Sequence, residues 1–227
     1  MSARKGRPDA AQAVPNARNK MGGLELLRQV EDCDAAAVVF DPQYRAVLDK
    51  LDFGNEGARQ KQRALLPQMS DFMISSFAAE IERVLRPAGY LFLWVDKFSI
   101  GSGVHLGWLR YAPQLKIVDL IAWNKDRMGM GRRARCQTEY LVCVQKQPLN
   151  AASTWKDHSI PDSFSERADR NRHPHAKPLL LMGRVLASTT RQGDLVIDPC
   201  AGGYGTLEIC QKIGRQFLGC DIADQVG

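Results

Sequence analysis

The stretch DLVIDPCAGGYGTLEIC, residues 194–210, decides the fold. A short apolar run, LVI, ends in a carboxylate, Asp198. A glycine-rich turn follows, and then the spacing of a helix. In open α/β sheets ligands bind beyond the carboxyl ends of the strands, so an acid at a strand end followed by glycines marks a candidate site. Gly202, Gly203 and Gly205 let the backbone approach a ligand closely, and the helix start offers free N–H groups. A lone glycine cluster reads as a tight turn. Here, however, the next strand, QFLGCD (216–221), ends in Asp221, where a carboxylate can hold a ribose diol. The pair points to a nucleoside-containing cofactor. GGYG lacks the GxGxxG spacing of a dinucleotide site, and no GK[ST] follows, which disfavours a nucleoside triphosphate. Cys200 opens the turn and reads as a small residue lining the pocket rather than as a nucleophile.

Outward from this unit the chain alternates. LELLRQV (24–30) reads as a short helix and AAAVVF (35–40) as a buried strand. SDFMISSFAAEIERVLR (70–86) reads as a helix with an apolar stripe of Met73, Phe77, Ile81, Val84 and Leu85. Ser70 or Asp71 caps it, and Arg86-Pro87-Ala88-Gly89 is expected to stop it. YLFLWV (90–95) is a second strand, GVHLGWLRYA (103–112) a helix, and VDLIAWNK (118–125) and EYLVCVQK (139–146) two more strands. KPLLLMGRVLASTT (177–190) is a helix with a thick apolar face. Strands alternating with helices, several of them apolar throughout, predict an α/β fold with a mainly parallel sheet covered by helices on both faces.

The 227 residues suit a single domain at 21–227, preceded by a basic tail at 1–20. The formal charge of +6 favours an anionic partner. No window approaches the run of about 18 apolar residues that spans a membrane, and no signal-peptide core opens the chain. Six cysteines without CxxC pairing, several inside apolar runs, suggest a reduced, cytoplasmic protein. His173 and His175 read as structural parts of a turn, and no metal is expected.

The strand AAAVVF runs into Asp41-Pro42-Gln43-Tyr44. An exocyclic amine on a base is a poor nucleophile because its lone pair is delocalised into the ring. A carboxylate and a backbone carbonyl that both accept its N–H bonds draw the nitrogen toward tetrahedral geometry. Asp41 and the Pro42 carbonyl would grip such an amine, and Tyr44 could stack on a base taken out of the duplex. Taken alone, an Asp-Pro after a strand is usually only a turn.

The set of motifs resembles the amino-group DNA methyltransferases. DPQY (41–44) resembles their DPPY motif and DPCAGGYGT (198–206) their S-adenosylmethionine motif. HPHAKP (173–178) resembles their HPxxKP segment, LRPAGYLFLW (85–94) the strand that follows the helix after the catalytic motif, and WNKDRMGMGRRARCQTEYLV (123–142) a later block in which W-x-K precedes a basic stretch and a glutamate. The catalytic motif comes first, as in the circularly permuted β class. The resemblance covers about residues 22–223. It implies a Rossmann-like fold, S-adenosylmethionine as cofactor, double-stranded DNA as partner, and methylation of an exocyclic base nitrogen. Asp41, Pro42 and Tyr44 take the base site. Asp198, Cys200, Gly202, Gly203, Gly205, Thr206 and Asp221 take the cofactor, with Lys177 at its methionine end. Aspartate at position 41 leans toward adenine N6. Cytosine N4, an RNA substrate, or a catalytically impaired nucleic-acid-binding homologue are the competing readings. Gln43 stands where the motif has a second proline, and its amide is a candidate DNA contact. Without a large recognition domain, sequence reading falls to loops 54–63, 128–136 and 147–172, with Arg132, Arg133 and Arg135 as candidate DNA contacts. The resemblance also implies a homodimer and a restriction nuclease partner as associations.

Overall fold

The strand Ala35–Phe40 (β2) carries small and β-branched side chains on both faces and is buried along its whole length. Val38 and Phe40 enter one apolar core, Ala37 and Val39 the other. β3 (Leu85–Val95) does the same, with Leu91, Leu93 and Val95 opposed to Tyr90, Phe92 and Trp94. Strands with no polar face need cover on both sides, which is the requirement a parallel α/β sheet meets. The computed structural model describes residues 12–43, 68–129, 133–167, 169 and 176–222.

In chain order the remaining elements are β1 (Asn19–Lys20), α1 (Gly23–Arg28), α2 (Asp71–Val84), α3 (Lys97–Ser102), α4 (Val104–Trp108), β4 (Leu115–Asn124), β5 (Thr138–Lys146), α5 (Ala151–Thr154), β6 (Ser163–Ser165), α6 (Leu179–Thr189), β7 (Leu195–Asp198), α7 (Gly205–Ile213) and β8 (Gln216–Asp221). The sheet order is β1-β8-β7-β2-β3-β5-β4-β6. The β3–β5 and β4–β5 pairs are antiparallel, and the other pairs among the described residues are parallel. Side chains of α1, α2 and α4 fill one core, those of α6 and α7 the other. From β2 the chain moves outward to β3, whereas β7 leads the other way to β8. The carboxyl ends of β2 and β7 therefore flank the point where connections diverge, the usual crevice for a ligand.

Several expectations are corrected. The buried face of α2 is Ile74, Phe77, Ala78, Ile81 and Val84, and Met73 is exposed. Ser70 caps the helix by accepting from the Met73 N–H at 3.2 Å. Asp71 instead accepts from Trp108 Nε1 at 2.8 Å. The proline-glycine stop at 86–89 lies inside β3, because the chain passes from Val84 straight into extended backbone at Leu85. Ala88 has φ 61°, and the register with β2 shifts between Ala35 and Ala37. Such a bulge admits Pro87, which has no N–H for the ladder. Gly89 is needed there, since a Cβ would lie 3.0 Å from the Ala36 carbonyl oxygen.

Residues 12–20, assigned to a basic tail, are packed on the sheet. Asn19 Nδ2 donates to the Gly219 carbonyl at 2.9 Å, and the Asn16 N–H donates to the Phe217 carbonyl at 2.8 Å. The segment 147–172 also contributes structure. β6 pairs with β4, and Trp155 and Ile160 pack against the core. Asp96 is a helix cap, accepting from the Ser99 N–H at 2.7 Å. Among the described residues no helix is long and apolar enough to cross a membrane.

Gly219 stands opposite Asp198 in the β7–β8 ladder. A Cβ there would sit 2.6 Å from the Asp198 carbonyl oxygen and 2.3 Å from the Phe217 ring. Gly219→Ala is expected to cost about 1–3 kcal/mol by overpacking, read as a lower denaturation midpoint. An unchanged midpoint would show that the two strands can part without loss.

Candidate active site

A cavity of about 220 Å³ opens at the carboxyl ends of β2, β7 and β8. Each strand delivers one acid to it: Asp41 follows β2, and Asp198 and Asp221 end β7 and β8. Trp94 of β3, Lys177 just before α6, and Gly23 at the start of α1 complete the parts of the wall that bear on chemistry.

On one side stands the glycine turn. Asp198 is buried and faces inward on its own loop, accepting from the Cys200 N–H at 3.2 Å and from Thr206 Oγ1 at 2.6 Å. It braces the turn from within. Burial pushes its pKa up to about 7, against the pull of those two hydrogen bonds. Gly202 adopts φ 47°, and its N–H donates to Asp221 Oδ2 at 3.0 Å. The two strand-end acids thus shape one loop between them. Tyr204, at φ 56°, turns the chain into α7, and its hydroxyl donates to the Asn19 carbonyl at 2.8 Å. Gly23 is pressed against this loop, where a Cβ would come within 2.4 Å of the Pro199 carbonyl oxygen.

On the other side stands a charged group. Lys177 Nζ lies 3.0 Å from Asp41 Oδ2 and 3.0 Å from Glu139 Oε2. Lys125 pairs with the other oxygen of Glu139. The Lys177 ammonium also sits over the Trp94 ring, 5.2 Å from its centroid. Burial opposes the charge on Lys177, but its two carboxylates hold it protonated. Glu139, flanked by both lysines, is held down to about 2 despite burial. Burial pushes Asp41 up, with Lys177 pulling it back and Glu139 adding to the rise.

The fold brings Asp41, Gln43, Lys177, Asp198, Cys200, Gly202, Gly203, Gly205, Thr206 and Asp221 to the wall of this one cavity. Pro42 is buried beside them. Lys177, assigned to the methionine end of a cofactor, lines the cavity and is ion-paired with Asp41. Arg133 and Arg135 are exposed outside the cavity wall. Arg135 Nε donates to the Gly129 carbonyl at 2.6 Å, so part of its guanidinium holds its own loop. Tyr44, Arg132, His173, His175 and the loop 54–63 lie outside the described residues. Sequence reasoning gave no role to Glu139, Lys125, Trp94 or Gly23. Lys125 and Glu139 had a signal, being the lysine and glutamate that bracket the basic stretch in WNK…TEY.

Asp198 predicts a pH effect on stability. Its folded pKa is raised, so between about pH 4 and pH 7 the folded chain holds a proton that the unfolded chain has released. Stability therefore falls as pH rises through that window. Chemical denaturation at pH 5 and pH 8 should show this loss in the native chain and a smaller one in Asp198→Asn. Equal pH dependence in the two would place the titration elsewhere.

The comparisons with known proteins bear on the family and the fold. The family model N6_N4_Mtase, described as DNA methylase, matches residues 36–226. The chain is 48% identical over 208 residues to the Type II methyltransferase M.HhaII of Haemophilus parahaemolyticus, covering 91% of each chain. Among solved structures, a complex of M1.HpyAVI with SAM superposes with a TM-score of 0.63 at 16% identity, covering 91% of this chain and 93% of that one. The PvuII DNA methyltransferase (cytosine-N4-specific) superposes with a TM-score of 0.69 at 16% identity, covering 93% and 83%. Strand-end acids, glycine turn and chain-wide similarity converge: the chain belongs to the N6_N4_Mtase family of DNA methylases and has a Rossmann-like α/β methyltransferase fold.

Proposed function

We propose that this DNA methyltransferase modifies the exocyclic N6 of adenine in a base flipped out of duplex DNA. The observation that carries the reading is the single cavity shared by Asp41 and the 198–206 turn. A donor held on the turn and an amine held at Asp41 would meet there without a covalent enzyme intermediate. Aspartate at position 41 supports adenine over cytosine.

The cofactor is S-adenosylmethionine, and the residues fit it. Asp221 offers a carboxylate to ribose hydroxyls. The turn from Asp198 to Thr206 leaves Gly202, Gly203 and Gly205 free of side chains along the cavity wall. S-adenosylmethionine supplies an electrophilic methyl group when bound. The chain's own task is to present the nucleophile. Asp41 accepts one amine N–H, and the Pro42 carbonyl accepts the other, so the nitrogen lone pair points away from the ring plane. The Lys177 contact uses Asp41 Oδ2, and Oδ1 is the oxygen assigned to the amine. Tyr44 stacks on the flipped base. Gln43, Arg132, Arg133, Arg135 and the loops 54–63, 128–136 and 147–172 read the DNA, with the last also serving as scaffold through β6.

Incubation with mixed-sequence duplex DNA and S-adenosylmethionine, followed by mass spectrometry of released nucleosides, is expected to give N6-methyladenine. N4-methylcytosine would overturn the base assignment and keep the mechanism. Asp41→Ala is expected to slow single-turnover methyl transfer by about 10²–10³-fold with DNA affinity little changed. Retention of activity in that variant would refute the base site.

A further inference from the structure

We infer that Glu139, on β5, is a positioning residue for methyl transfer: it holds the Lys177 ammonium partly off Asp41 and so keeps one carboxylate oxygen of Asp41 available to the substrate amine. The inference rests on the assignment of Asp41 to the base site. Its basis is the geometry of four side chains brought from four different parts of the chain.

Lys177 contacts Asp41 Oδ2 and Glu139 Oε2 at the same distance, 3.0 Å. Its ammonium is thus shared evenly between two carboxylates. Glu139 is itself tethered, because Lys125 takes its Oε1. Lys125 directly follows β4, and the neighbouring Asn124 side chain accepts from Gln137 Nε2 at 3.0 Å and from the Asp126 N–H at 3.0 Å. The Glu139 carboxylate is therefore fixed at both oxygens by lysines. Two carboxylates and two ammoniums balance in charge, which makes the buried group tolerable. Among the described residues Asp198, Cys200, Asp221, Glu166, Arg167 and Asp169 are the other ionisable groups on the wall of the cavity that Asp41 faces.

An ammonium freed from Glu139 would give its donors to the nearest remaining carboxylate, Asp41. That would occupy the acceptor oxygens that the amine needs and weaken the activation of its lone pair. Glu139 would thus act on the reaction without touching substrate or cofactor. It would also set the charge of Asp41, since a neighbouring carboxylate disfavours ionisation while Lys177 and Lys125 favour it. Asp41 must be ionised to accept from the amine, so the acid limb of the rate profile reports this balance.

The test is single-turnover methyl transfer across pH in the native chain, Glu139→Gln, Lys125→Met and Asp41→Ala, with S-adenosylmethionine affinity measured for each. Glu139→Gln is expected to lose about 10²-fold in rate with cofactor affinity little changed. Its acid limb should move to lower pH by about one unit, because a negative neighbour of Asp41 has gone. Lys125→Met should move the limb the other way, because a positive neighbour has gone while Glu139 remains. Opposite shifts are the signature, and a merely structural role would not produce them. Should Glu139→Gln fail to fold, Glu139→Asp takes its place: it withdraws the carboxylate from Lys177 and should lose rate, and a native rate in it would overturn the inference. Rates that fall at all pH values with an unmoved limb in both variants, or a native rate in Glu139→Gln, would overturn the inference. Activity surviving in Asp41→Ala would instead bring down the base-site assignment beneath it.

Discussion

Two carboxylates, Asp41 just after β2 and Asp198 at the end of the neighbouring β7, face one cavity, Asp198 buried and Asp41 partly so. Burying like charges close together is costly unless each is compensated. The fold uses two different solutions. Asp41 receives a cation, Lys177, at 3.0 Å. Asp198 receives hydrogen bonds from Thr206 and the Cys200 N–H, and its pKa rises to about 7, with Asp41 among the causes. One acid keeps a cation beside it at the cavity wall, and the other is given over to the shape of a loop. The same pair of adjacent strand ends thus produces one acid that faces a cation and one that braces a turn.

That division depends on the sheet. Strands buried on both faces leave no lateral route for a ligand, so the cavity can only lie beyond the strand ends. The connections diverge between β2 and β7, which is where such a sheet leaves a crevice. α1 and the 198–206 turn then meet so tightly that Gly23 has no room for a side chain against Pro199. The antiparallel β5 runs back beside β3 and brings Glu139, near its start, to the same end of the sheet at which β2 finishes. A parallel strand in that position would present its beginning at the far end, and Lys177 would lose its second partner.

Much of this was legible from local pattern. β2, β7 and β8 are apolar runs that end in acids, and both their extents and their roles in presenting Asp41, Asp198 and Asp221 follow from that alternation. The turn residues were legible for the same reason, because glycine and a following helix carry a local signal. The end of α2 was not. Pro87 and Gly89 are strong stop signals, but β3 had already begun at Leu85, and the bulge at Ala88 absorbs the proline within a strand. Residues 12–20 were misjudged because their anchoring depends on Asn16 and Asn19 reaching β8, about two hundred residues away. The role of Glu139 was hidden for a related reason. Its partners, Lys177 and Lys125, come from the segment before α6 and the residue just after β4, and spacing along the chain carries no trace of such a meeting.

The tetrapeptide Asp41-Pro42-Gln43-Tyr44 illustrates how tertiary contact can stand in for a local constraint. A second proline at position 43 would limit the backbone next to the Pro42 carbonyl. Glutamine gives up that limit, and on sequence grounds this left room for an impaired homologue. The structure supplies a different restraint: the Gln43 carbonyl accepts from the Met69 N–H at 2.7 Å, and Met69 itself lines the cavity. A hydrogen bond to the segment leading into α2 thus anchors the chain just after Pro42. Since α2 packs through Phe77 onto Phe40, with ring centroids 4.9 Å apart, both ends of that bond are referenced to β2. The backbone at Gln43 is then restrained by a tertiary hydrogen bond rather than by a ring. Loss of the second proline is therefore a weak argument against catalysis in this chain.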